Sequence, residues 1–67
     1  MGVLIMTQEE IRKYNSKCTN NNYSLSGVGS YGITVWDHTT GEFIDFYWHE
    51  CYDLWDHVNR LCGYSEV

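Results

Sequence analysis

Residues 31 to 48 mirror themselves about one turn, and that mirror limits the fold more than any other stretch of the chain. Asp37-His38-Thr39-Thr40-Gly41-Glu42 has turn chemistry, with Gly41 where a hairpin loop needs a residue at positive φ. If Asp37 and Glu42 flank a four-residue loop, Trp36 faces Phe43, Val35 faces Ile44, Thr34 faces Asp45, Ile33 faces Phe46 and Tyr31 faces Trp48. Strand side chains alternate between faces. Tyr31, Ile33, Val35, Ile44, Phe46 and Trp48 then share one wholly apolar face, and Thr34, Trp36, Phe43, Asp45 and Tyr47 share the other. The first face is the expected core side.

Beyond the hairpin the period changes. Cys51, Leu54, Trp55, Val58, Leu61 and Cys62 fall on one helical stripe, with Glu50, Asp53, Asp56, Asn59 and Arg60 off it. Carboxylates gather in the first turns, Arg60 lies in the last, and Gly63 follows as a C′ residue. The spacing predicts a helix over residues 49–62, laid on the apolar face of the hairpin.

The N-terminal half is plainer. An apolar run at residues 2 to 6 could add a short strand or pack as a tail. Thr7 with Glu10 is a capping box, and Met6 with Ile11 has the spacing of a hydrophobic staple. A helix is expected from there to Lys17 or Cys18, with Ile11, Tyr14 and Cys18 on its apolar side. Thr19-Asn20-Asn21-Asn22 is a polar turn. Residues 23 to 28 alternate for two steps and can form a first strand against 31 to 36, although Gly27 and Gly29 weaken it. Tyr64-Ser65-Glu66-Val67 reads as a frayed end. The expected architecture is a single small α+β domain over residues 1–67, a three-stranded antiparallel sheet with an N-terminal and a C-terminal helix on one face.

With 67 residues the chain can bury roughly 60% of its unfolded surface, so its stability is marginal and self-association is a live alternative. Three cysteines, an odd number, point to a reducing compartment. Cys51 and Cys62, on one straight helix, would stand about 16 Å apart, beyond disulfide reach. The apolar start is too short for a signal peptide or a membrane span, and a soluble, cytoplasmic protein is expected.

No motif names a reaction. Gly27, Gly29 and Gly32 spell G-x-G-x-x-G, but they lead into a strand instead of a helix N-terminus, so they lack the phosphate cradle of a dinucleotide site. His49, Asp53 and His57 at four-residue spacing would share a helical stripe and could hold a divalent cation. Polar residues recur on a solvated face as well, and no metal or cofactor is assigned. Cys51 near a helix start, with His49 or His57 beside it, could be an activated thiol. It occupies the stripe needed for the core, and the chain reads as no enzyme.

Charge is the most informative signal. Nine acidic residues against four Lys and Arg leave a net charge of −5, and no Lys or Arg occurs between Cys18 and Asn59. Asp37, Glu42, Asp45, Glu50, Asp53 and Asp56 all lie in that span, interleaved with aromatic residues. Such a surface suits a basic partner and disfavours nucleic acid or membrane, whose phosphates need Lys and Arg. Trp36, Phe43 and Tyr47 are the expected anchors. The carboxylates would steer the encounter, with Glu50, Asp53 and Asp56 imitating a row of phosphates along a helix. The expected function is a non-enzymatic inhibitor that docks this acidic and aromatic face on a larger basic or nucleic-acid-binding protein or ribonucleoprotein.

In size and acidity the chain resembles the small intracellular inhibitors that phages and mobile elements direct against host defences, anti-CRISPR proteins among them. The resemblance involves no motif and carries over no functional residue. It implies action in the host cytoplasm as a nucleic-acid mimic. The alternatives are a homo-oligomeric structural or regulatory protein and a small divalent-metal-binding module.

Overall fold

The structure is a computed structural model and describes residues 5–65. Helix α1 (Gln8–Ser16) leads to strands β1 (Tyr23–Val28), β2 (Gly32–Asp37) and β3 (Glu42–Tyr47), then a 3-10 turn (Trp48–Glu50) and helix α2 (Leu54–Cys62). The strands form one antiparallel sheet in the order β1-β2-β3. This is the expected α+β arrangement. Residues 1 to 4, most of the N-terminal apolar run, lie outside the described residues, as do Glu66 and Val67. Ile5 is largely exposed and Met6 packs on the core, neither within a strand.

The hairpin register matches the mirror pairing. Ile33 stands opposite Phe46, Thr34 opposite Asp45, Val35 opposite Ile44, Trp36 opposite Phe43, and Asp37 opposite Glu42. Gly41 has φ +76° in the turn, where Asp37 accepts from the N–H groups of Thr39 and Thr40. Ile33, Val35, Leu25, Val28, Ile11, Tyr14, Leu54, Val58 and Cys62 make the core between the sheet and both helices.

Two irregularities decide which side chains reach that core. A β-bulge lies between Leu25 and Gly27 in β1, with Ser26 as the extra residue, so the strand's parity changes and both Leu25 and Val28 turn inward. At the other end of β1, Gly29 and Gly32 exchange backbone hydrogen bonds around the Ser30-Tyr31 turn. Gly32 has φ +154°, and a Cβ there would collide with the Phe46 carbonyl. This backbone reversal corrects the expectation for Tyr31. Its ring lies on the outer face of the sheet, over Gly27 and Gly29, with its hydroxyl on Thr34 Oγ1.

The capping box forms as expected: Thr7 Oγ1 accepts from the Glu10 N–H, and the Glu10 carboxylate accepts from the Thr7 N–H. The second helix is shorter than the predicted 49–62. Trp48–Glu50 make a separate 3-10 turn, Cys51 is extended, and Asp53 caps α2 from a left-handed conformation (φ 54°, ψ 59°), accepting from the Asp56 N–H. The apolar spacing continued past the true start because Cys51 also packs on the core, from a loop. Gly63 ends α2, and the Tyr64 N–H donates to the Asn59 carbonyl.

Tyr64 and Ser65 are not frayed. Cys18 and Tyr64 form an antiparallel bridge, Thr19 N–H donates to the Gly63 carbonyl, and Ser65 N–H donates to the Lys17 carbonyl. The Tyr64 ring stacks on Tyr14 at 4.3 Å between centroids. This clasp joins the segments that follow the two helices.

Candidate protein-binding face

Both helices cover one side of the sheet and leave the other open. By strand parity that outer face carries Ser24 from β1, Thr34 and Trp36 from β2, and Phe43, Asp45 and Tyr47 from β3. Tyr31 joins them through the reversal at Gly32. Phe43 is 60% exposed, Tyr31 43% and Tyr47 38%. Of the nine residues expected to bind a partner, Trp36, Phe43, Asp45 and Tyr47 are brought together here.

The face has two aromatic ends joined by a polar link. At the turn end Trp36 and Phe43 pack at 4.6 Å between centroids. The Trp36 indole N–H donates to His38 Nδ1 at 3.0 Å, and His38 Nε2 lies 2.9 Å from Ser24 Oγ. With Nδ1 accepting, neutral His38 carries its proton on Nε2 and donates to Ser24. At the other end Tyr31 and Tyr47 meet edge to face at 6.3 Å, and the His49 ring lies 6.1 Å from Tyr47. Between the ends Thr34 donates to Asp45 at 2.7 Å while contacting the Tyr31 hydroxyl. The rings are thus held in place by hydrogen bonds and by one another. Composition alone did not mark Tyr31, His38 or Ser24; the Gly29-Ser30-Tyr31-Gly32 spacing was a signal for the first.

The remaining carboxylates are dispersed. Asp37 is half-buried and engaged in the turn, and exposed Glu42 shares the parity of the core side. Glu50 lies on the 3-10 turn, 3.9 Å from His49. Asp53 is the cap of α2, and Asp56 pairs with Arg60 at 3.1 Å, both in the helical layer. Glu50, Asp53 and Asp56 therefore do not make a phosphate-like row along one helix. The lysines are also in that layer: Lys13 and Lys17 line a groove of about 270 Å³ with Met6, Glu10, Tyr14 and Tyr64. The outer face has Asp45 and no cation from residues 18 to 59.

The chemistry weighed for the second helix loses its geometry. His49 precedes the helix break and His57 packs on Phe46 at 5.3 Å, so His49, Asp53 and His57 share no helical stripe. Among the described residues no group of three or more His, Cys, Asp or Glu is placed to hold a metal ion. Cys51 lies outside α2, with its thiol directed at the Tyr52 carbonyl. Cys62 is fully buried, and burial with nearby Cys18 pushes its thiol up to about 11. Burial also raises Cys18. Neither of these two thiols is ionised near neutral pH.

No family model matches the chain, nor does any curated protein or solved structure. Among the described residues no helix is long and apolar enough to cross a membrane.

Proposed function

We propose that this chain is a non-enzymatic binding module that docks the outer face of its sheet on a basic surface of a larger protein. The carrying observation is that face itself, where Trp36, Phe43, Tyr47 and Tyr31 surround Asp45 with no helix over them. Exposed aromatic side chains already held in place lose little entropy on binding, and aromatics dominate interface energies. The acidic surplus supplies steering toward a basic partner through its field. The sharpest form of this reading is an inhibitor from a phage or mobile element that keeps a CRISPR or restriction complex off DNA. Its support is size, acidity and the aromatic face.

The test is capture of a partner by tagged protein, followed by direct titration of whatever is captured. Phe43→Ser with Asp45→Lys should weaken binding at least about tenfold, a loss of roughly 1.4 kcal/mol or more. Asp56→Lys, in the helical layer, should retain binding. Equal binding by all three proteins would refute the assignment of this face. Asp53 is unsuitable as a probe, because its loss removes the cap of α2.

A further inference from the structure

We infer that the exposed edge of β3 accepts one more strand, an extended segment of the partner with alternating basic and apolar residues. This inference rests on the docking reading above and gives it a mode. Its basis is a difference between the two edges of the sheet. At the β1 edge Leu25 turns its backbone away from β2, and Asn15 of α1 takes both groups: the Leu25 N–H donates to Oδ1 at 2.7 Å, and Nδ2 donates to the Leu25 carbonyl at 3.0 Å. That edge is closed by a side chain.

The β3 edge has no such closure. Leu25 stands opposite Val35, so Val35 directs its own backbone groups toward Ile44, and the direction alternates along antiparallel strands. Ile44 and Phe46 therefore bond to β2, while Phe43, Asp45 and Tyr47 point N–H and C=O out of the sheet. The Trp48 N–H donating to the Tyr31 carbonyl at 3.2 Å obeys the same parity. Among the described residues, no hydrogen bond reaches the outward backbone groups of Phe43, Asp45 or Tyr47.

The core side of the same strand is also incomplete. β3 has no buried residue, and Ile44 and Phe46 are half-buried where Ile33 and Val35 are fully buried. Both helices pack mainly against β1, at the far side of the sheet, and α2 reaches β3 through His57 on the Phe46 ring. An added strand would bond the outward backbone groups and lay apolar side chains beside Ile44 and Phe46.

Charge selects the occupant. A second copy pairing antiparallel must match residues whose backbones both point outward. That sets Asp45 against Asp45, Phe43 or Tyr47 of the copy, and in no register against a Lys or Arg. Like charges facing one another destabilise a strand pair. A segment with Lys or Arg at alternate positions meets Asp45 instead, between the Phe43 and Tyr47 rings.

The test uses three capped eight-residue peptides: alternating Lys and Val, the same peptide N-methylated at the bonding amides, and alternating Glu and Val. Amide hydrogen exchange of the full chain is read by NMR. At saturation the Lys–Val peptide should slow exchange at Phe43, Asp45 and Tyr47 about tenfold or more, with Leu25 unchanged, and N-methylation should abolish the effect. Equal binding of the N-methylated peptide, or no binding of the Lys–Val peptide, would overturn strand addition while leaving the basic-surface reading to its own variants. Slowing by the Glu–Val peptide as strong as by Lys–Val would overturn the basic occupant. Slow exchange at these amides without peptide would assign the edge to a second copy if concentration-dependent, or to the chain itself if not, and either would overturn the inference.

Discussion

Replacing Asn15 by alanine removes the side chain that closes the β1 edge, and the cost follows from the two bonds it makes with Leu25. Each is partly buried, and a hydrogen bond of this kind contributes about 1 kcal/mol net, so about 2 kcal/mol is lost. Alanine is the better helix former, which returns roughly 0.5 kcal/mol within α1. The net destabilisation is then about 1.5 kcal/mol, large against the roughly 3 to 10 kcal/mol expected for a chain of this length. With a urea slope of about 1 kcal/mol/M, the unfolding midpoint should fall by about 1.5 M. Urea unfolding followed by circular dichroism measures this, and the Leu25 amide should exchange faster in the variant. Asn15→Asp should be at least as damaging near neutral pH, because it sets a negative oxygen against the Leu25 carbonyl. A midpoint within about 0.3 M of wild type, with Leu25 exchange unchanged, would refute the view that Asn15 closes this edge.

Other substitutions and conditions test separate parts of the structure. Gly32→Ala should lower stability by about 3 kcal/mol or prevent folding, because a Cβ meets the Phe46 carbonyl at an unfavourable φ; thermal unfolding reads it. Asp53→Asn should lie within about 0.5 kcal/mol of wild type, since asparagine both caps and tolerates the left-handed conformation, while Asp53→Ala should cost about 1 to 2 kcal/mol in urea unfolding. Cys62 has a folded pKa of about 11 against an ordinary 9.0, a shift in the direction that keeps the neutral thiol. Stability should therefore be full below pH 9.0 and fall as pH rises toward 11, by about 3 kcal/mol from this group alone. The raised Tyr14 and Cys18 groups act in the same sense. A urea midpoint that is flat from pH 8 to 11 would contradict the burial of this cluster.

The hairpin was legible because the turn chemistry between Asp37 and Glu42 fixes the register, and that register puts Ile33, Val35, Ile44 and Phe46 together. The first helix was legible from the reciprocal chemistry of Thr7 and Glu10. Tyr31 was misplaced because parity counting assumes an unbroken strand, and Gly32 breaks it. The start of α2 was misplaced because Cys51 has the right apolar spacing in the wrong backbone; Asp53, a capping residue, was the better marker. Trp36, Phe43, Asp45 and Tyr47 could be gathered from alternation alone. The dispersal of Glu50, Asp53 and Asp56 could not be read, since it depends on where the helix begins. The role of Asn15 was likewise hidden, because an exposed-looking asparagine in a helix gives no sign of the strand edge beside it.

The clasp between Lys17–Thr19 and Gly63–Ser65 has a consequence in time. Thr19 and Gly63 are 44 residues apart in sequence, and their contact follows both helices. Along the chain α1 and the hairpin come before α2, so Leu25, Ile33 and Val35 are at first covered only in part, by Ile11 and Tyr14. Leu54, Val58 and Cys62, which cover them, arrive last. Until α2 closes over the sheet, its core side is covered by α1 alone among the described residues, and folding waits on a long-range closure. How fast that closure forms should govern how long the sheet stays open to other partners.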